Sequence, residues 1–325
     1  MQQNIDMREK SDIIDKLYKA WNLNRLNKLY DYLVKNDINT VTVNDIQYPD
    51  KLRNLTDYPY MLYYYGDIIT ANRLKSVAIV GARECTNYGI DTAAFFSREL
   101  SKNGINIVSG AARGIDAVAH KTTLQNNGFT TAVLGCGIDT VYPAENKNIY
   151  DNIKRNGCLI SEFPPGTRPL SYNFPIRNRI ISGLSDYILV VEAAERSGSL
   201  ITASLALEMG KDVGAVPGSI FSKSSAGCNK LIRDGALTVT EIDDILPILG
   251  LPSKNINSLG GVNRIEGKSK KKIYDILSDN PMHIDDILKI VNIDITLLYE
   301  LLLEMQLDDL VRCVSGDYYV KVNDI

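Results

Sequence analysis

The run Ile105-Asn106-Ile107-Val108-Ser109-Gly110-Ala111-Ala112-Arg113-Gly114-Ile115-Asp116 decides the fold of this chain. Residues 105–108 read as a short apolar strand, and the stretch Ser109 to Asp116 opens a helix that runs toward His120. Between them lie only small residues and one arginine. Small residues let the backbone turn sharply and approach a ligand closely. The first turn of a helix offers unbonded N–H groups and a partial positive charge, and Arg113 adds a forked cation. Strand, small-residue turn and helix, in that order, is how a chain holds a phosphate.

The same unit recurs. Apolar runs at 76–80, 131–134, 187–191 and 213–216 are rich in Val and Ile. They are continuous rather than alternating, as in strands buried on both faces. Small-residue turns follow them at Gly81-Ala82, Gly135-Cys136-Gly137 and Val216-Pro217-Gly218, and Glu195-Arg196-Ser197-Gly198-Ser199 follows the run at 187–191. The repetition predicts an α/β fold built on a doubly wound parallel sheet, with ligands at the carboxyl ends of its strands. Arg83 and Arg113 fall on that edge. A second constellation, Phe174-Pro175-Ile176-Arg177-Asn178-Arg179, sets two more arginines beside an aromatic ring. Phosphate grips with a stacking ring suggest a nucleic-acid strand rather than one small anion.

Composition narrows the function classes. A length of 325 residues allows two or three domains. The formal net charge of −3 excludes a protein coated in basic residues, so any nucleic-acid site must gather its cations in one place. The five cysteines form no C-x-x-C pair and only two histidines are present, which makes a structural zinc site improbable. An odd cysteine count with a polar N-terminus fits a reducing cytosol, and no apolar run approaches the ~20 residues that span a bilayer. The G-x-G around Cys136 lacks the third glycine of the dinucleotide fingerprint, and no Walker loop occurs, so no cofactor is expected.

Three blocks are visible. Residues 1–70 read as a small helical domain in which Leu17, Trp21, Leu26, Leu29, Tyr30 and Leu33 bury one face. It ends in the tyrosine-rich run 58–66, read as an aromatic strand that packs two domains together rather than as a base-stacking platform. Residues 71–250 form the doubly wound domain. A polar, glycine-bearing linker covers 251–267, and 268–325 form three helices and a terminal hairpin, a winged helix. Asp294 caps the third helix, at 295–307. Asp116, Glu162 and Glu192 lie near strand ends and read as helix caps or arginine partners rather than as an acid–base pair. His120 reads as packed.

With those residues in hand, the chain resembles the DNA-processing protein A family, DprA, also called Smf. The resemblance runs essentially end to end. It rests on Ser109 to Asp116 with His120, Tyr142-Pro143, Ser161-Glu162-Phe163-Pro164-Pro165-Gly166, and Asn173-Phe174-Pro175 through Arg177-Asn178-Arg179 to Leu184. Further matches are Glu192-Ala193, Ser197-Gly198-Ser199-Leu200-Ile201-Thr202-Ala203, Val216-Pro217-Gly218 and Gly227-Cys228-Asn229. It implies a Rossmann-like central domain flanked by a small N-terminal helical (SAM-like) domain and a C-terminal winged helix. It also implies a cytoplasmic mediator rather than an enzyme: single-stranded DNA binding, a homodimer through the Rossmann-like domain, and loading of the RecA recombinase during natural transformation. The implied DNA-binding residues are Gly81, Arg83, Gly110, Arg113, Gly114, Phe174, Arg177, Asn178, Arg179, Ser197, Gly198 and Ser199. The family often carries a hydroxyl residue where this chain has Ala82. Apolar candidates for the dimer surface are Leu237, Ile242, Ile245, Leu246, Ile248 and Leu249.

The alternative is a nucleotide-processing enzyme. The domain also looks like the phosphoribohydrolases of the lysine-decarboxylase-like type, whose glycine loop ends in a catalytic glutamate. Aligning Gly198-Ser199 with that loop puts Thr202 at the glutamate position, which counts against hydrolysis.

Overall fold

Every residue of the run 76–80 is buried, and its side chains divide between two cores: Val77 and Ile79 enter one, Ala78 and Val80 the other. The computed structural model describes residues 22–252, 268–308, 310–314 and 316–322. Leu17, Trp21 and the stretch 253–267, which holds nearly all of the expected linker, lie outside them. The chain divides into two compact units, Met1–Pro252 and Ser253–Ile325.

The first unit is built on a nine-stranded sheet. Its strands are β1 (Asn39–Thr42), β2 (Met61–Gly66), β3 (Ser76–Gly81), β4 (Asn106–Ser109), β5 (Thr130–Leu134), β6 (Cys158–Ser161), β7 (Tyr187–Glu192), β8 (Asp212–Ala215) and β9 (Leu237–Thr238). Their order is β1-β2-β6-β5-β4-β3-β7-β8-β9, parallel from β6 to β9. The winding runs outward from β3 through β4, β5 and β6, then returns to place β7 on the other side of β3. That reversal makes the β3/β7 boundary the switch point of the sheet, where open α/β sheets form their crevice.

The helices are α1 (Leu23–Lys35), α2 (Asp50–Arg53), α3 (Ile68–Arg73), α4 (Asn87–Lys102), α5 (Ile115–Gln125), α6 (Lys147–Asn156), α7 (Asn173–Leu184), α8 (Gly198–Glu208) and α9 (Ala226–Arg233). Residues of α2, α3, α7, α8 and α9 pack one face of the sheet, around Leu52, Ile68, Ile180, Ala203 and Cys228. Residues of α4, α5 and α6 pack the other, around Phe96, Ile115 and Tyr150.

Several sequence expectations are corrected here. The boundary expected at residue 70 falls inside the first unit: β1 and β2 hydrogen-bond antiparallel onto β6 and extend the sheet. The tyrosine-rich run forms a strand as expected, with Tyr63 buried, but it lies within the sheet rather than between two domains. Strand β6 is an additional strand. On α1, Leu29 and Leu33 are half-buried while Leu26 and Tyr30 stay exposed. Of the apolar tail, Ile242, Ile245, Leu246 and Leu249 fill the core under α4, which leaves Leu237 and Ile248 at the surface.

The second unit is a winged helix. It comprises α10 (Lys268–Ile276), β10 (Met282–His283), α11 (Ile284–Val291), α12 (Ile295–Leu307), β11 (Val311–Val314) and β12 (Tyr318–Lys321). The hairpin β11–β12 pairs with β10 in a three-stranded sheet. Its core gathers Ile273, Ile287, Leu298, Leu302, Met305 and Tyr319. The Asp294 side chain accepts the Thr296 amide at 2.8 Å and caps α12.

Candidate nucleic-acid interface

A cleft of about 570 Å3 opens at the carboxyl ends of β3 and β7. Gly81, Ala82 and Arg83 come from the β3 loop, Phe174, Arg177 and Asn178 from the first turns of α7, and Arg196, Ser197, Gly198 and Ser199 from the β7 loop and the start of α8. The structure thus brings Gly81, Arg83, Phe174, Arg177, Asn178, Ser197, Gly198 and Ser199 together.

Phe174 is half-buried in the cleft wall. The exposed Arg83 guanidinium lies over its ring, 5.2 Å from the centroid, and that of Arg177 lies 5.9 Å away. Tyr142 meets the same ring at 5.6 Å, tilted by 37°. Gly135 leaves room for it: a Cβ there would stand 2.8 Å from Phe174 Cδ1. A ring held on one side by an aromatic neighbour and flanked by guanidinium groups is suited to a base with its phosphate.

Arg177 is 3% exposed. Its Nη1 donates to the carbonyls of Gly110 and Val133, while its Nε, also buried, has no protein partner. Gly110 is required there, since a Cβ would sit 2.6 Å from both terminal nitrogens of Arg177. The Asp116 carboxylate beside it accepts the amides of Gly110 at 3.2 Å and Ala112 at 3.3 Å. Burial raises the Asp116 pKa, opposed by the Arg177 charge and those amides. The turn after β4 therefore carries its own anion. Two of the N–H groups that the sequence assigns to a phosphate are occupied by Asp116. Gly114, at φ +72°, lets the chain enter α5 where any Cβ would collide with the Ala82 carbonyl.

The N-terminus of α8 differs. No acidic residue occupies its first turn, and the Ser197 and Ser199 hydroxyls bond each other at 2.8 Å beside the cleft. Asn178 Nδ2 donates to the Gly198 carbonyl at 3.4 Å. This helix end lines the cleft together with Arg83 and Arg196, and its dipole and those cations are suited to an anion.

Gly110 and Gly114 shape the turn after β4 without lining the cleft, and two expected arginines lie elsewhere. Arg113 projects into solvent and forms a forked pair with Glu145, at 2.8 and 3.2 Å. Arg179 turns to the other side of α7, where it donates to Asp57 Oδ2 at 2.8 Å and Glu162 Oε1 at 2.7 Å. It borders a separate cavity of about 750 Å3 with Lys51, Asp186 and Lys211. The lysines there are taken: Lys51 by Asp186 at 2.6 Å, Lys211 by the carbonyls of Ser182, Gly183 and Ser185. Burial brings the Lys211 pKa down to about 8.

The carboxylates act as supports. Glu192 Oε2 accepts the Thr86 amide at 2.9 Å while its carbonyl accepts the Ala82 amide at 2.7 Å, so one residue holds both ends of the Arg83 loop. Thr202, where a hydrolase would place glutamate, lines the cleft and is 2% exposed. Arg196 is missing from the sequence-derived set; its signal was an arginine just before Ser197-Gly198-Ser199 at a strand end.

A Rossmann-like sheet with a cationic, ring-bearing crevice at its switch point, in a chain that also carries a winged helix, defines a class of nucleic-acid-handling protein. The family model for DNA recombination-mediator protein A matches residues 39–250, and the DprA winged helix model matches 266–317. The chain belongs to the DNA recombination-mediator protein A family. It is 41% identical over 219 residues to DNA processing protein DprA of Bacillus subtilis, covering 67% of this chain and 73% of that one. The X-ray structure of DNA processing protein A from Streptococcus pneumoniae superposes with a TM-score of 0.67 at 39% identity, over 73% of this chain and 81% of that one. A structure of the Helicobacter pylori protein, described for its single-stranded DNA binding mode, has a TM-score of 0.59 at 32% identity, over 65% and 95%. No helix among the described residues is long and apolar enough to cross a membrane.

Proposed function

We propose that this chain binds single-stranded DNA in the cleft between the β3 and β7 loops and acts on it as a mediator rather than as an enzyme. It shields the incoming strand in the cytoplasm, works as a homodimer through its Rossmann-like unit, and hands the strand to a RecA-type recombinase during natural transformation. The observation that carries the reading is the meeting of Arg83 and Arg196 with the Phe174 ring, which the buried Arg177 backs, and the acid-free first turn of α8. Guanidinium groups hold phosphates without reading sequence, and a ring accepts any base. The family membership and the strand-binding relative from Helicobacter pylori support the same reading.

The test is fluorescence anisotropy of the full chain with labelled single-stranded and duplex oligonucleotides across a salt series. Single strands should bind more tightly, with log affinity falling by about 0.7 per phosphate contacted for each decade of salt. Replacing Arg83 with Ala should weaken single-strand binding roughly tenfold, as for a lost charge-assisted contact, and reduce the salt slope. Equal affinity for duplex, or affinity independent of salt, overturns the reading.

A further inference from the structure

Ile220 and Phe221, in the loop between β8 and α9, stand almost wholly in solvent, at 84% and 92% exposure. Their loop is held in shape beneath them. Asn229 accepts the Gly218 amide at 3.2 Å and donates to the Gly218 carbonyl at 3.0 Å. The Phe221 amide donates to Ser219 Oγ at 3.3 Å, and the Ser222 amide to the Ser219 carbonyl at 3.0 Å. From Gly218 to Lys230 the chain has four serines and two lysines and no carboxylate.

This loop lies on the same sheet edge as the cleft. Strand β8 borders β7, whose own loop supplies Arg196 and Ser197. Tyr88, five residues after Arg83, donates its hydroxyl to the Pro217 carbonyl at 2.8 Å and keeps its ring half exposed. The carboxyl edge of the sheet therefore presents Phe174, Arg83, Tyr88 and Phe221 on the loops and helix starts of β3, α7 and β8.

We infer that the loop 216–225 is a second base-stacking station for single-stranded DNA. A strand with one base against Phe174 continues past Arg83 and Tyr88 and lays a further base on Phe221, with Lys223 and the serine hydroxyls beside its phosphates. The inference rests on the proposed function of the cleft. A second copy of the chain is the weaker occupant. The core of a protein interface needs packed apolar neighbours, and this loop offers two apolar side chains among serines. A lone ring among hydroxyls and lysines, without an acid, matches the stacking and phosphate contacts of a single strand.

The experiment measures affinity of the full chain for oligothymidylates of about 6 and about 20 nucleotides, lengths that bracket a single binding groove. Phe221→Ser removes no core contact, so the fold is retained. It should weaken the long strand roughly 5- to 150-fold, the range of one lost stacked base, and leave the short strand unchanged. Phe221→Trp should restore the long-strand affinity. Phe174→Ala should weaken both lengths. If Phe221→Ser binds the long strand as well as the parent, the station does not exist. If it instead turns a dimer into monomers in sedimentation with strand affinity per protomer unchanged, the loop is a surface between copies. If Phe174→Ala changes neither length while Phe221→Ser weakens the long one, the cleft assignment fails and the station stands.

Discussion

Arg177 and Arg179 point to opposite sides of α7: the first ends in the carbonyls of Gly110 and Val133, the second on Asp57 and Glu162. Residues two positions apart on a helix are separated by about 200°, so the two guanidinium groups do not face one pocket. Arg179 braces the β2 approach against α7 with its side chain 11% exposed. Replacing Arg179 with Ala strands the Glu162 carboxylate. The expected cost is about 2 kcal/mol, a Tm lowered by roughly 4–8 °C for a unit of this size, with DNA affinity per folded molecule unchanged. Calorimetry and anisotropy on one preparation check this, and a full-strength Tm with lost affinity contradicts it.

Glu145 occupies the Arg113 fork on an open surface, both side chains more than half exposed. Exposed pairs of this kind contribute about 0–1 kcal/mol, so a phosphate can displace the carboxylate. Replacing Glu145 with Gln frees Arg113 and removes a repulsive charge. If Arg113 belongs to the strand path, this variant should bind single strands roughly fivefold more tightly, about 1 kcal/mol, and a further Arg113→Ala should erase the gain. An unchanged affinity would remove Arg113 from the path.

The strands were legible where apolar runs are continuous, as in 76–80 and 187–191. β6 was harder: Cys158-Leu159-Ile160-Ser161 has two apolar aliphatic residues, and it pairs with β2 far away in sequence. The antiparallel addition of β1 and β2 has no local signature, which is why a boundary near residue 70 looked plausible. At the site, the glycine turns marked the edge of the sheet at which the cleft opens. The direction of each arginine did not follow, because Phe174 to Arg179 reads as a motif in line but coils into a helix. The carboxylates Asp116, Glu162 and Glu192 were legible as partners, and each accepts hydrogen bonds as such.

His120 supplies a pH prediction. The Thr130 hydroxyl donates to the Ile107 carbonyl at 2.6 Å, so it must accept from His120 Nδ1 at 2.7 Å. The neutral ring therefore carries its proton on Nδ1, and Nε2 is buried without a partner. Burial, with Arg177 nearby, lowers its pKa from 6.5 to about 3. Between those values the unfolded chain binds the proton and the folded one does not, so stability is full above pH 6.5 and falls as pH drops below it. The slope approaches about 1.4 kcal/mol per pH unit. Denaturant midpoints at several pH values should show it. His120→Asn, which keeps a polar atom near Thr130, should lower stability at neutral pH and flatten the dependence between pH 6.5 and 4. A variant with the parental slope would show that other groups cause the loss.

The winged helix should not read DNA sequence. A recognition helix needs Arg, Lys, Asn or Gln facing base edges in the major groove. On α12 the polar candidates are Glu300, Glu304 and the half-buried Gln306, with Asp308 just beyond, and the helix contains neither lysine nor arginine. Lys270 pairs with Glu304 at 2.8 Å and lies 3.9 Å from Asp308, so part of the basic run is spent on that acidic face. Carboxylates against phosphates repel, most strongly at low salt. Meanwhile Ile295, Tyr299, Leu303 and Leu307 recur every fourth residue and are each at least 40% exposed, so they form a strip on one side of the helix. A strip of that composition suits a protein contact better than a groove. Deleting residues 268–325 should leave most single-strand affinity intact. Sequence-selective duplex binding by the isolated 268–325 fragment in moderate salt would contradict this, since α12 offers no cation to a groove and its exposed side chains are chiefly acidic and apolar.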